Sequence, residues 1–157
     1  MFINKIDKEL IKPSVFGMFD GLTSMLGVVI PLLSNTHVLI FTTCIGLSIS
    51  SSLSMGLGDY LSSDKSSTKK HRIESAIYMG LFTGIGCFLP VLPYAFVGGT
   101  MALVLSIFIY FLLTTCVAAM KASDMGWKDS ILQTLVVSFV AIGIVIAATT
   151  GLPGSGE

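Results

Sequence analysis

Five apolar stretches, at about 14–34, 38–61, 74–97, 98–120 and 129–150, alternate with short polar segments along this chain of 157 residues. A helix needs about 20 residues to cross a hydrocarbon core of roughly 30 Å, and each stretch is near that length. The pattern predicts an all-α integral membrane protein with five transmembrane helices. Little chain is left over, so residues 1–157 read as a single transmembrane domain. Ahead of the first span, residues 1–12 set Phe2, Ile3, Ile6 and Leu10 among charged residues at helical spacing. Such a segment suits a short helix lying along the membrane interface. Pro13 opens span one, and Pro31 and Asn35 mark its end. Span three closes at Pro90 and Pro93, which have no N–H to donate. The turn between spans one and two is short, which predicts that they are antiparallel neighbours.

Charge gives these spans a direction. All nine Lys and Arg fall in 1–13, 62–73 and 121–128, and the alternate connections carry none. Basic residues resist translocation, so the N-terminus is expected in the cytosol and the C-terminus on the opposite side. The chain is 53% hydrophobic and 11% charged, with mean hydropathy +0.88, values that soluble domains rarely approach. Its basic cluster, Lys65 to Arg72, suits contact with an anionic lipid surface, and a net charge of zero argues against a nucleic-acid partner. No targeting signal distinguishes a plasma membrane from a vacuole-type membrane.

Cys44, Cys87 and Cys116 sit in three different spans without metal-site spacing, and read as small packing residues. No phosphate loop, nucleophile elbow or zinc motif is present, so the chain does not read as an enzyme and implies no permanently bound cofactor. Gly17 with Gly21, and Gly80 with Gly84, are small residues four apart. They let helix backbones approach closely, either within one subunit or along a homodimer seam.

Polar residues inside apolar spans carry the candidate chemistry. Asp20 stands within span one, where an ionisable group costs about 2.5–3.5 kcal/mol on insertion scales and marks a functional site by default. Asp59 lies near the cytosolic end of span two, on a stripe with Ser48, Ser52, Met55 and Ser62 at spacings of 4, 3, 4 and 3. Residues so spaced share one helix face. Thr23 and Ser24 follow Asp20 by one turn. Antiparallel spans bring both carboxylates toward the same membrane face, where they are expected to converge. Carboxylate and hydroxyl oxygens suit a divalent cation, and the Met55 sulfur favours a transition metal over magnesium or calcium. The plainer readings are a solvated Asp59 paired with Lys65, a gap-filling Met55 and packing serines. Glu74, opening span three, either helps collect cations or is a solvated helix-start carboxylate.

The segment Phe16-Gly-Met-Phe-Asp20-Gly-Leu-Thr-Ser-Met-Leu-Gly-Val-Val29 resembles the first-helix signature of the vacuolar iron transporter family. Leu53-Ser-Met55-Gly-Leu-Gly58-Asp59-Tyr60-Leu-Ser62 resembles its second-helix motif, and Leu89-Pro-Val-Leu-Pro-Tyr94 its third-helix ending. The resemblance implies a five-helix homodimer that exports Fe²⁺, and also Mn²⁺ or other divalent ions, from the cytosol in exchange for H⁺. It places Asp20, Met55 and Asp59 on the translocation pathway; Ser24, Ser48, Ser52, Ser62 and Glu74, singled out above by position, are further pathway-lining candidates. Asp59 stands where the family has Glu, and the connection 62–73 replaces a Glu-rich cytosolic metal-binding domain. Two rival functions fit the same hydropathy: a proton-coupled exporter of organic cations, using Asp20 alone, and a non-transporting membrane scaffold subunit.

Overall fold

Residues 8–63 and 67–150 are described by the computed structural model, and among them are five α-helices and no strand. These are α1 (Lys8–Val29), α2 (His37–Ser62), α3 (Lys69–Phe88), α4 (Gly99–Met125) and α5 (Trp127–Thr150). Residues 1–7 of the expected interfacial segment, and Lys65, lie outside the described residues.

Local chemistry sets most of the boundaries. Pro31 disfavours helical backbone at Ile30, so α1 stops at Val29 and residues 30–35 form tight turns, closed by the Asn35 amide donating to the Leu32 carbonyl at 2.8 Å. Thr36 caps α2 by accepting from the Leu39 amide, and Thr68 caps α3 by accepting from the His71 amide. Pro90 and Pro93 convert the end of α3 into a 3-10 helix, Leu89–Ala95, as the missing donors require.

Several boundaries differ from the sequence-based expectation, among them the end of α1 at Val29 rather than near 34 and the start of α3 at Lys69 rather than near 74. Residues 8–12 belong to α1 itself, which runs through Pro13 without a break, so they are not part of a separate interfacial helix. Nor is 121–128 a loop: α4 continues to Met125, and Gly126 alone, at φ +85°, separates it from α5. That backbone conformation is open to glycine and strained for other residues, which explains how one residue reverses the chain.

The helices pack around α3. Gly17 and Gly21 of α1 lie directly on the α3 backbone near Met79, Thr83 and Cys87, and Gly86 of α3 receives Met18 and Leu22. On its other side α3 meets α2, where Gly56 faces Ala76 and Gly80. The paired glycines therefore serve packing within one chain. Spans one and two do touch, as their short connection suggested, but each makes its larger interface with α3. Ser52 Oγ donates to the Gly80 carbonyl at 2.6 Å and Ser48 Oγ to the Gly84 carbonyl at 3.0 Å, tying α2 to α3. α4 and α5 form a hairpin, fastened by the buried Ser130 hydroxyl on the Ala118 carbonyl at 2.6 Å.

Removing the Ser52 hydroxyl checks this seam. Ser52→Ala is expected to lower stability by about 1 kcal/mol, read by denaturation in detergent. Unchanged stability would mean that the hydroxyl does not tie α2 to α3.

The outer surface is that of a membrane protein. Leu53, Leu57 and Leu61 on α2, Phe108 on α4 and Ile144 on α5 are all exposed, Leu61 at 77%, as is Phe96 at 81%. Apolar surface of that extent requires lipid around it. α2, α3 with its 3-10 extension, α4 and α5 are each long and apolar enough to cross a bilayer; α1 is not among these four. It carries Lys12 and Asp20 and ends at Val29, yet Ser14, Met18, Leu22, Met25 and Val29 place it in the core.

Candidate functional site

Asp20 sits midway along α1, half-buried, beside the glycine that touches α3. Thr23 does not reach toward it: its hydroxyl donates to the Phe19 and Asp20 carbonyls at 3.1 and 3.0 Å, within its own helix. Ser24 is half-buried one turn further on. Across the α1–α3 contact stands Cys87, fully buried, with buried Cys44 of α2 close by and Asp20 within electrostatic reach. The sequence treated these two cysteines as unrelated packing residues; only the pairing of α2 with α3 brings them to the depth of Asp20.

The stripe on α2 divides into two parts. Ser48 and Ser52 face α3 and donate to its carbonyls, which are accessible because Gly80 and Gly84 carry no side chain. Met55 and Asp59 are half-buried nearer the helix end. The Ser63 amide and hydroxyl both bond the Asp59 carbonyl, at 2.9 and 2.6 Å, and the Ser62 hydroxyl reaches it at 3.3 Å. The Asp59 side chain differs in that its Oδ2 is buried with no hydrogen-bond partner among the described residues. An orphaned carboxylate oxygen is costly, and a cation is the partner its chemistry fits.

Arg72 closes the same end of α2. Its guanidinium donates to the Tyr60 carbonyl at 2.9 Å and lies 4.8 Å from the Tyr60 ring centroid. A cation there complements the negative end of the helix dipole. The sequence reading used Arg72 as a topology charge and as part of a lipid-facing basic cluster, and missed this position. Glu74 is bound at 3.7 Å to Lys70 on the exposed first turns of α3.

The expected convergence of the two carboxylates does not occur within one chain. Ser48 pairs with Gly84 and Ser52 with Gly80, so the same register sets Asp59 beside Ile73. Gly17 lies on Met79 and Thr83, and Gly21 on Thr83 and Cys87, which sets Asp20 near Ile85. At 1.5 Å per residue the two carboxylates stand about 18 Å apart along α3, and Met55 is about 12 Å from Asp20. Among the described residues no three Asp, Glu, His or Cys side chains gather closely enough to hold a metal ion. Asp20, Met55 and Asp59 are thus successive depths on one bundle rather than a single cage.

Comparison with known families places these features. The VIT family model matches residues 11–71 and 63–150, almost the whole described chain. The chain belongs to the VIT family. Its members are membrane metal-ion transporters, and this VIT protein is an integral membrane protein. The two matched stretches meet at 63–71, where α2 passes to α3 through a short connection. No curated protein and no solved structure matches the chain.

Proposed function

We propose that this VIT protein exports divalent transition-metal ions, Fe²⁺ and also Mn²⁺, from the cytosol in exchange for protons. Asp20, Met55 and Asp59 mark its pathway. The observation that carries the reading is Asp20: an ionisable group half-buried midway along a helix of an apolar bundle, beside the helix contact that fixes its depth. The orphaned Asp59 oxygen near the basic end of the bundle supports an entry station there, with the Met55 sulfur between the two. Metal ions and protons compete for the same carboxylate oxygens, because metal ligands must be deprotonated. That competition is the physical basis of exchange.

The proposal has α1 as a fifth span, with the N-terminus cytosolic and the C-terminus opposite. Support comes from its buried position against α3 and from the basic residues of α1, α3, α4 and α5, which share one end of the bundle. A homodimer is part of the same reading, since a second chain supplies a second Asp20, Met55 and Asp59. Purified protein in liposomes carrying a pH gradient tests it. Uptake of Fe²⁺, Mn²⁺ or Co²⁺ is expected to follow the gradient, with Mg²⁺ and organic cations failing to compete. Competition by an organic cation in place of the metals would replace this function with the drug-exporter one.

A further inference from the structure

The α4–α5 hairpin does not close tightly on α1. The seam between them contains a cavity of about 380 Å³ near the basic end of the bundle. A second cavity, of about 350 Å³, lies in the same seam toward the other end and is lined by side chains such as Leu26, Leu103 and Ile142. The walls of the first are apolar, but its rim is not: Lys12 of α1 and Lys121 of α4 flank the opening. Lys121 Nζ donates to Gln133 Oε1 of α5 at 2.8 Å, which holds the ammonium over the seam with donors to spare. Neither lysine has an acidic partner among the side chains described.

We infer that this seam holds one anionic phospholipid, its phosphate between Lys12 and Lys121 and an acyl chain along Val15, Phe19, Val117 and Val137. Two cations with no acidic partner among the described side chains, at the mouth of an apolar groove, match a ligand with an anionic head and a hydrocarbon tail, and basic pockets between membrane helices bind such headgroups. Free phosphate would leave the apolar walls unfilled. A second copy docked through the same face would bring like charges together. The cavity toward the other end has no cation, which fixes the headgroup at the basic end. This site goes beyond the transport reading and does not depend on it.

Native mass spectrometry of the detergent-purified protein, offered phosphatidylglycerol or phosphatidylcholine, tests the inference. Wild type is expected to retain phosphatidylglycerol preferentially, with each lysine contributing about fivefold, and Lys12→Gln with Lys121→Gln to abolish the preference. Val137→Trp keeps both lysines but fills the groove at a half-exposed position, and is expected to lose the lipid as well. Inorganic phosphate is expected to leave the lipid bound. Equal retention of the two lipids by wild type, or unchanged retention in both variants, would overturn the site. So would displacement by inorganic phosphate alone, or a dimer that Val137→Trp splits. None of these measurements uses metal flux, so their failure is distinct from failure of the transport reading.

Discussion

Asp20→Asn is expected to reduce gradient-driven uptake of Fe²⁺ or Mn²⁺ in liposomes to the level of protein-free vesicles. The substitution conserves size and changes charge alone, so the neighbouring Gly21 contact with α3 is untouched. Asparagine offers one carbonyl oxygen and no negative charge, which leaves a doubly charged ion uncompensated in the least polar part of its route. Stability should move the other way or not at all. A carboxylate in mid-membrane costs about 2.5–3.5 kcal/mol on insertion scales, and the neutral amide avoids most of that cost. Lost flux with a retained or raised melting temperature therefore separates a transport role from a structural one. Asp20→Glu, which keeps the charge, is expected to keep measurable uptake. Wild-type flux in Asp20→Asn would remove the carboxylate from the pathway and the exchange proposal with it.

The second large effect concerns packing. Gly21→Val is expected to eliminate most of the folded, detergent-extractable protein, whereas Gly27→Val on the same helix behaves as wild type. A Cβ at residue 21 would lie against the Thr83 carbonyl oxygen and 2.8 Å from the Cys87 amide nitrogen. Both are backbone atoms of α3 and have no rotamer with which to move aside. Overpacking of this kind typically costs about 1–3 kcal/mol, occasionally more, and here it falls on the seam that sets the depth of Asp20. At Gly27 an added Cβ meets nothing within 4 Å. Size-exclusion profiles of the two variants decide the matter: matching profiles would mean that α1 and α3 do not pack as described.

Helices α2 to α5 were legible in the sequence because their signals are local. The Pro90–Pro93 pair announces an end and hydropathy supplies the approximate lengths, whereas the cap at Thr68 was missed and 69–73 was read as linker. Partner choice was not local. Gly17, Gly21 and Gly80 declared close approach without saying to what, and the short turn after α1 suggested α2 when the larger partner is α3. The polar residues of 121–128 looked like a loop, but polarity does not break a helix, and only Gly126 does so.

The candidate site shows the same division. The α2 stripe was correctly read as one face at its first two positions, Ser48 and Ser52, which both address α3. What they address, carbonyls exposed by glycines on another helix, has no trace in the α2 sequence itself. Asp20 was read as lying within its span, but its convergence with Asp59 was inferred from antiparallel spans alone; the register of α1 and α2 on α3 sets Asp20 inside the bundle and Asp59 near its end. The family resemblance rested on motifs in the first three helices, and these are the helices that pack around α3.

The position of α1 has a consequence for how the protein is made. α1 is synthesised before α3 and is the one described helix not long and apolar enough to cross a bilayer, yet it lies against α3, whose contacting residues emerge about sixty positions later (Gly17 against Met79). Its retention in the membrane must wait for that surface. Biogenesis is therefore not a simple N-to-C stitching of independent segments: the nascent chain has to shelter a half-polar helix until its docking partner has been synthesised.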